Sequence, residues 1–223
     1  MHDENLLLWD DIKLYQSGHF FGLISAFNPN LTKKVTLYKN GTNIRYGEGV
    51  SGVLDMHSKN TVSAKTEAGI GFNLINGSGY LDLPLSAKAS LEVAGRKSSN
   101  EVWESPIYKN YTKRIFQDSE ISNSESTQNN IGIGTDENFS FYDFGAKLLW
   151  DISENDKLRF NFLTIDNSLD FTETLAINSQ SKTSKLDQRS LLGGISWNRS
   201  WRNSIETTIL GYGSYYLLDA LNR

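Results

Sequence analysis

From Thr66 onward apolar and polar residues alternate with period two, in separate segments of about the ten residues a tilted strand needs to cross a bilayer. The clearest segment is "FSFYDFGAKLLWDIS". Tyr142, Phe144, Ala146, Leu148, Trp150 and Ile152 fall on one face, where Ser140 is the polar exception, and Asp143, Gly145, Lys147 and Asp151 fall on the other. "SENDK" is a polar turn, after which Leu158, Phe160 and Phe162 resume the apolar face against Arg159 and Asn161; the pattern predicts a hairpin. A second hairpin follows: Leu191, Ile195 and Trp197 face one way, "WRNS" turns, and Ile205, Thr207 and Ile209 oppose Glu206, Thr208 and Tyr212. Upstream, Ala68, Ile70, Phe72 and Leu74 oppose Gly69, Gly71 and Asn73. Leu81, Leu83 and Leu85 oppose Asp82, and Leu91 and Val93 oppose Glu92 and Arg96. Together these segments predict about seven antiparallel strands, the last ending near the C-terminus.

The links between them are unequal. "LSAKAS", "SENDK" and "WRNS" are short, whereas residues 98–138 and 172–185 are long and polar, with "NGSG" a short member of the long-link end. Outer-membrane barrels share this asymmetry of short turns and long external loops. Trp150, Trp197 and Trp201 lie near the short-turn ends, where an interfacial aromatic girdle belongs. A soluble β-sandwich also alternates, its apolar face meeting a second sheet, but strand length and tryptophan placement favour the barrel. In the first long link, Trp103, Tyr108 and Tyr111 of "VWESPIYKNY" are candidate ligand contacts on an external loop, set against the ordinary scatter of aromatics in long loops.

Composition agrees with a mainly β chain: 18 glycines and 12% aromatics stand beside three prolines and two methionines. A net charge of -4, spread along the chain, argues against a nucleic-acid partner. The absence of cysteine excludes a disulfide, a thiolate metal site and a thiol nucleophile. No apolar run approaches the roughly 20 residues of a membrane-spanning helix, and "HDEN" after Met1 is no signal segment; a barrel strand needs neither. His2, His19 and His57 are too widely spaced for a metal motif. Ser51 in "GEGVSG" lacks the order of a nucleophile elbow, and "GIGTDENFS" lacks the lysine of a phosphate loop. Asp10 and Asp11, adjacent on the chain, point to opposite faces of a strand and suit a turn better than a glycosidase pair. The expectation is a protein that is not an enzyme and carries no cofactor.

Before the alternation begins, residues 1–60 hold sharp reversals: Asp10, Asp11 and Ile12; Asn28 and Pro29; Val35, Leu37, Tyr38 and Lys39; Gly41; Arg45, Tyr46 and Gly47; and Gly52, Val53 and Leu54. This order resembles the second half of the plug domain of TonB-dependent outer-membrane receptors. There, a strand with an Asp-Gly-Ile/Val turn precedes an apical loop and a short helix, and an Asn-Pro leads to a V-x-(L/V)-x-(K/R)-G strand. A Y-G turn and a Gly-Val-(I/L) strand then lead into the barrel. Asp11 stands where the family often has glycine, and Asn40 where it has a second small residue. Pro29 ends the expected helix in "FGLISAF", and Gly41, Gly47, Gly49 and Gly52 allow the reversals of a sheet folded inside a lumen.

The resemblance implies a partial plug domain at residues 1–60 and the first strands of a transmembrane barrel of roughly 22 strands at 61–223, in the outer membrane of a Gram-negative bacterium. A working protein of this kind extends beyond both ends. It implies energy-coupled uptake of a scarce nutrient such as an iron chelate or a glycan, with TonB and outer-membrane lipid as partners. It places Tyr15, Gln16, Ser17, His19, Phe20 and Phe21 in a ligand-binding apical loop. Lys33, Lys34, Arg45 and Glu48 are candidate plug groups facing the wall, and Glu67, Glu92, Lys147, Arg159 and Glu206 candidate wall groups facing the plug. Two rivals are a surface binding protein without transport and a soluble β-sandwich carbohydrate-binding module.

Overall fold

The computed structural model describes residues 5–19, 22, 24–39, 46–47, 51–99, 106, 133–175 and 180–222. The protein is mainly β. Strands β1 (Asn5–Trp9), β2 (Ile12–Leu14), β5 (Thr32–Lys39) and β6 (Gly52–Ser58) form a four-stranded sheet in the order β2-β1-β6-β5, with β1 parallel to β6. The short strands β3 (Gly18–His19) and β4 (Ile24–Ser25) pair with each other. The remaining strands are β7 (Glu67–Phe72), β8 (Asn76–Ser86), β9 (Ala89–Ser98), β10 (Ile133–Asp151), β11 (Asp156–Leu175), β12 (Gln180–Ser200) and β13 (Glu206–Asn222). They make one seven-stranded antiparallel sheet in which each strand pairs with its neighbours in sequence.

Local chemistry explains the reversals near the N-terminus. Asp10 and Asp11 take φ of 49° and 65° between the paired Trp9 and Ile12, a two-residue turn whose left-handed backbone matches the twist of the flanking strands. The helix expected in "FGLISAF" does not form at Ile24–Ser25, which is strand β4 paired to β3; Phe21 and Leu23 lie outside the described residues. Gly22 adopts φ 93°, and its N–H donates to the His19 carbonyl at 3.3 Å, so the chain reverses tightly where a helix would continue. Asn28 then starts the approach to β5. Its carbonyl accepts from the N–H groups of Leu31 and Thr32, each at 3.0 Å, and its Oδ1 accepts from the Asn30 N–H at 3.0 Å.

The strands β10, β11 and β12 are 19, 20 and 21 residues long, about double the expectation. Most of the expected 172–185 link is therefore strand, β11 running to Leu175 and β12 starting at Gln180. β10 begins at Ile133, within the expected 98–138 link. Past Phe171 the sequence is polar at successive positions and carries no period-two signal. The ladder continues regardless through Thr172↔Thr183 and Thr174↔Ser181, because each further pair satisfies backbone groups whatever the side chains are.

Register across the large sheet separates two faces. On the outer face Ala68, Leu81, Val93, Ala146 and Phe162 align in one row, and Leu83, Leu91, Leu148, Phe160 and Ile195 in the next. Phe144, Trp150, Phe162, Leu191 and Ile195 on this face are each 39–44% exposed. On the inner face Asp82, Glu92, Lys147 and Asn161 align and are buried. This face is not uniformly polar. Leu163, Ile165 and Leu192 pack against Trp9, Ile12, Leu14, Ala26 and Met56, and nearby Phe139, Phe141, Leu169 and Phe171 form a second cluster.

Two glycines permit that contact. A Cβ at residue 145 would collide with the Leu31 side chain, and one at residue 194 would lie 2.8 Å from Ile12 Cδ1 and 3.2 Å from the Gly211 carbonyl. Gly194→Val should therefore lower stability by about 1–3 kcal/mol through overpacking. Thermal unfolding followed by circular dichroism checks this, and with Ile12→Ala added the total loss should be smaller than the sum of the two single losses if the side-chain clash is its cause.

Candidate functional site

The chemistry-bearing residues gather in the seam between the N-terminal segments and the inner face of β8–β12, at two polar ends of an apolar middle. At the short-turn end, the Asp10 carboxylate accepts from the Ser58 N–H at 3.0 Å, the Ser58 hydroxyl at 2.6 Å and Lys147 Nζ at 3.1 Å. Lys147 also donates to Ser58 Oγ at 2.7 Å. The left-handed turn delivers Asp10, whose own N–H donates to the Met56 carbonyl at 2.8 Å. Arg159 donates through Nε to Asn60 Oδ1 at 2.7 Å and through Nη2 to the Asn60 carbonyl at 3.0 Å and Asp151 Oδ1 at 2.7 Å. Lys59 reaches Asp82 at 2.6 Å and Ser63 Oγ at 2.8 Å; the Ser63 hydroxyl also donates to Asp82, and its N–H to Ser90 Oγ at 3.0 Å. Residues 58–63 are thus stitched to β8, β9, β10 and β11.

At the long-link end His19 is fully buried between Asn167 Oδ1 at 2.5 Å and Asp143 Oδ2 at 3.2 Å, its ring centroid 4.2 Å from that of Phe141. Asp143 also accepts from Arg96 Nε at 2.7 Å, and Arg96 Nη2 donates to the Ser25 carbonyl at 2.8 Å. Gln16 Oε1 accepts from the Ser190 hydroxyl at 2.9 Å. Asn167 continues the network by donating to Gln188 Oε1 at 2.9 Å, and Gln188 donates to the Tyr216 hydroxyl at 2.8 Å.

Of the residues singled out in the sequence, Tyr15 is 54% exposed, with Lys13 Nζ 5.2 Å from its ring centroid. Gln16 and His19 are buried in the seam, where their polar atoms already have partners on the wall. Ser17 is half-buried, and its carbonyl faces the Ala26 N–H at 3.5 Å. Lys147 and Arg159 meet the N-terminal segments as described, and Glu92 is buried in the same inner row with its Oε2 unpartnered. Lys33, Lys34, Glu67 and Glu206 are exposed. Phe20, Phe21, Arg45, Glu48, Trp103, Tyr108 and Tyr111 lie outside the described residues.

Ser58, Asn60, Asp143 and Asn167 were not singled out in the sequence. Asp143 carried a signal, as a charge on the non-apolar face of the clearest strand. Ser58, Asn60 and Asn167 carried none, since small polar residues gain meaning only from what the fold sets opposite them.

Beside the Asp10–Lys147 pair lies an open cleft of about 830 Å³. Tyr46 lines it, donating its hydroxyl to Asp55 Oδ2 at 2.7 Å. Burial and then this bond to Asp55 push its phenol above the ordinary tyrosine range. Among the described residues no cluster of histidine and carboxylate side chains suits a metal ion, and no helix is long and apolar enough to cross a membrane.

No family model matches the chain, and no curated protein does. Among solved structures, similarity extends to a mutant ferric enterobactin receptor from Pseudomonas aeruginosa crystallised with enterobactin. It is 13% identical, with a TM-score of 0.44 over 98% of this chain and 42% of that one, a distant structural relationship. The chain thus spans less than half the length of that receptor.

Lys147 and Asp10 have only 4% and 8% of their side chains exposed, so each charge depends mainly on the other for compensation. Lys147→Met alone should cost about 3–5 kcal/mol by stranding the Asp10 carboxylate, and Lys147→Met with Asp10→Asn should cost much less. Denaturant titrations of the single and double variants test this coupling. For Tyr46, a raised folded-state pKa means that its stabilising contribution is complete below the unfolded value of about 10 and is lost as pH rises through the folded value. A spectrophotometric phenolate titration should show a late-ionising component that Tyr46→Phe diminishes.

Proposed function

We propose that this chain is part of a TonB-dependent outer-membrane uptake receptor, residues 1–60 forming the C-terminal half of its plug and residues 61–223 the first strands of its barrel. The observation that carries this reading is the exposed apolar outer face of β8–β13, set against a buried, polar-ended inner face. Along β10 the outward apolar positions run from Tyr142 to Trp150. Eight steps of about 3.3 Å, tilted by about 40°, give a band roughly 20 Å tall, most of the ~25 Å hydrocarbon-facing band of such barrels.

A water-soluble sandwich would cover this face with a second sheet. The four-stranded sheet instead packs on the opposite, inner face. Among the described residues β7 and β13 each pair on one side only, and backbone groups left unpaired in hydrocarbon would cost several kcal/mol each. In this reading further strands, outside this sequence, complete the wall.

The role that follows is energy-coupled uptake of a scarce nutrient such as an iron chelate or a glycan, without covalent chemistry or a resident cofactor. TonB, pulling on the plug, would work against the buried contacts of Asp10, Lys147, Arg159 and His19. Among the described apical residues, Tyr15 is the one exposed to a ligand without first breaking the seam.

The test is fractionation of native cells with an antibody against residues 103–111. The reading expects an outer-membrane band well above the 25.1 kDa of this chain, and ligand uptake that stops when the proton gradient is collapsed. A soluble band near 25.1 kDa would overturn it. Ligand binding without any gradient-dependent uptake would leave a surface binding protein. Ile195→Arg on the outer face should cost about 2–4 kcal/mol if that position lies near the bilayer midplane, and should sharply reduce the receptor assembled in the membrane.

A further inference from the structure

We infer that the outer face of the large sheet, at its long-link end, is a docking surface for a membrane lipid with a phosphoethanolamine headgroup. The inference rests on the barrel reading, since only a wall that faces lipid meets such a group.

Register sorts the charges of this face into rows. Beyond the row of Phe144, Thr164 and Leu191, toward the long links, the first charged row runs Lys97, Tyr142, Asp166, Arg189 and Leu217 across β9 to β13. Among the described residues it sets two cations against one carboxylate. Asp166 accepts from Arg189 Nε, and the Arg189 side chain is still 58% exposed. Two residues further out, Ser140, Ser168, Asp187 and Asp219 align. There Asp187 and Asp219 stand directly opposite each other, a like-charge pairing that favours a cation beside it. Lys185, in the next row, lies 3.3 Å from Asp187 and 3.9 Å from Asp170, so it is divided between two carboxylates and the excess of negative charge remains.

The short-turn end of the same face is different. Asp156 and Arg199 sit on the same two strands ten residues away, about 25 Å along the bilayer normal at a tilt of about 40°. Arg199 Nη1 meets both Asp156 oxygens, at 3.2 and 3.4 Å, and its guanidinium lies 4.4 Å from the Trp201 ring centroid. That pair is closed on itself, whereas the rows at the long-link end are not.

Outward from the hydrocarbon, the long-link end therefore reads apolar, cationic, anionic. A lipid seated on it presents acyl chain, phosphate and a positive group in that order. The phosphate suits Lys97 and Arg189, and an ammonium suits Asp187 and Asp219. Among the described residues no carboxylate cluster suits a metal ion, so the outward cation is one that the lipid itself carries. A primary ammonium has N–H groups to donate to these carboxylates, and a quaternary one has none. A groove of about 530 Å³ joins the two rows, lined on this face by Lys97, Tyr142, Asp166, Asp187, Arg189 and Asp219.

The test is native mass spectrometry of the full-length protein, purified in detergent from its own membranes and titrated with phosphatidylethanolamine, phosphatidylcholine and phosphatidylglycerol. Phosphatidylethanolamine should be retained best and phosphatidylglycerol least. Lys97→Ala should weaken retention of phosphatidylethanolamine about fivefold, as should Arg189→Ala made together with Asp166→Asn so that no carboxylate is stranded. Asp187→Asn with Asp219→Asn should bring phosphatidylglycerol up toward phosphatidylethanolamine, a change that mere loss of structure would not produce. Equal retention of the three lipids, tighter phosphatidylglycerol, retention that EDTA abolishes, or a preference untouched by these variants would overturn the site and leave the barrel standing. A protein that stays soluble without detergent and retains no lipid would overturn both.

Discussion

Everything in this structure depends on the register of the antiparallel ladder from β7 to β13. Side chains alternate along a strand, so a slip of one residue would turn Phe144, Leu148 and Trp150 inward and present Asp143 and Lys147 on the outer face. The register is held because both faces specify it. Outside, rows of leucine, valine and phenylalanine match across adjacent strands, and inside, Leu31 and Ile12 find room only where Gly145 and Gly194 face them. The short turns reinforce it: the Ser153 hydroxyl bonds the Asp156 carboxylate at 2.9 Å and accepts from its N–H at 3.0 Å.

With the ladder set, the seam divides its work. The apolar middle around Trp9, Ile12, Leu163 and Ile165 supplies adhesion, which is non-directional and tolerates small shifts. The polar ends supply position. A buried pair such as Asp10–Lys147 adds little net stability over an apolar replacement, but it penalises any displacement that leaves one charge alone. Two sheets held in this way have one strongly preferred placement, and leaving it requires several polar contacts to break together.

Legibility in the sequence followed the same division. The seven strands and their faces were visible because one face had to be apolar and the other not, as in Tyr142 to Ile152. β11 beyond Phe171 and the start of β12 carried no signal because Thr172, Thr174, Ser181 and Thr183 show no apolar–polar alternation, although the backbone ladder pairs them throughout. β4 was expected as helix because the resemblance implies a short helix ended by Asn28-Pro29, and periodicity cannot separate a short, largely apolar helix from a short strand. Lys147 and Arg159 stood out as charges among leucines and aromatics, whereas Asn60 and Ser58, their partners across the seam, had no pattern to stand out from.

The overhang of β10, β11 and β12 beyond the apolar rows has an evolutionary side. From Asn138 back to Ile133, past the cluster of Phe139, Phe141, Leu169 and Phe171, the ladder rises about 17 Å at roughly 3.3 Å per residue. Such a stalk can exchange residues, lengthen or shorten by whole pairs without disturbing the wall below. What sits at its tip is free to diverge quickly, while the rows around Leu148 and Phe160 must change together or not at all.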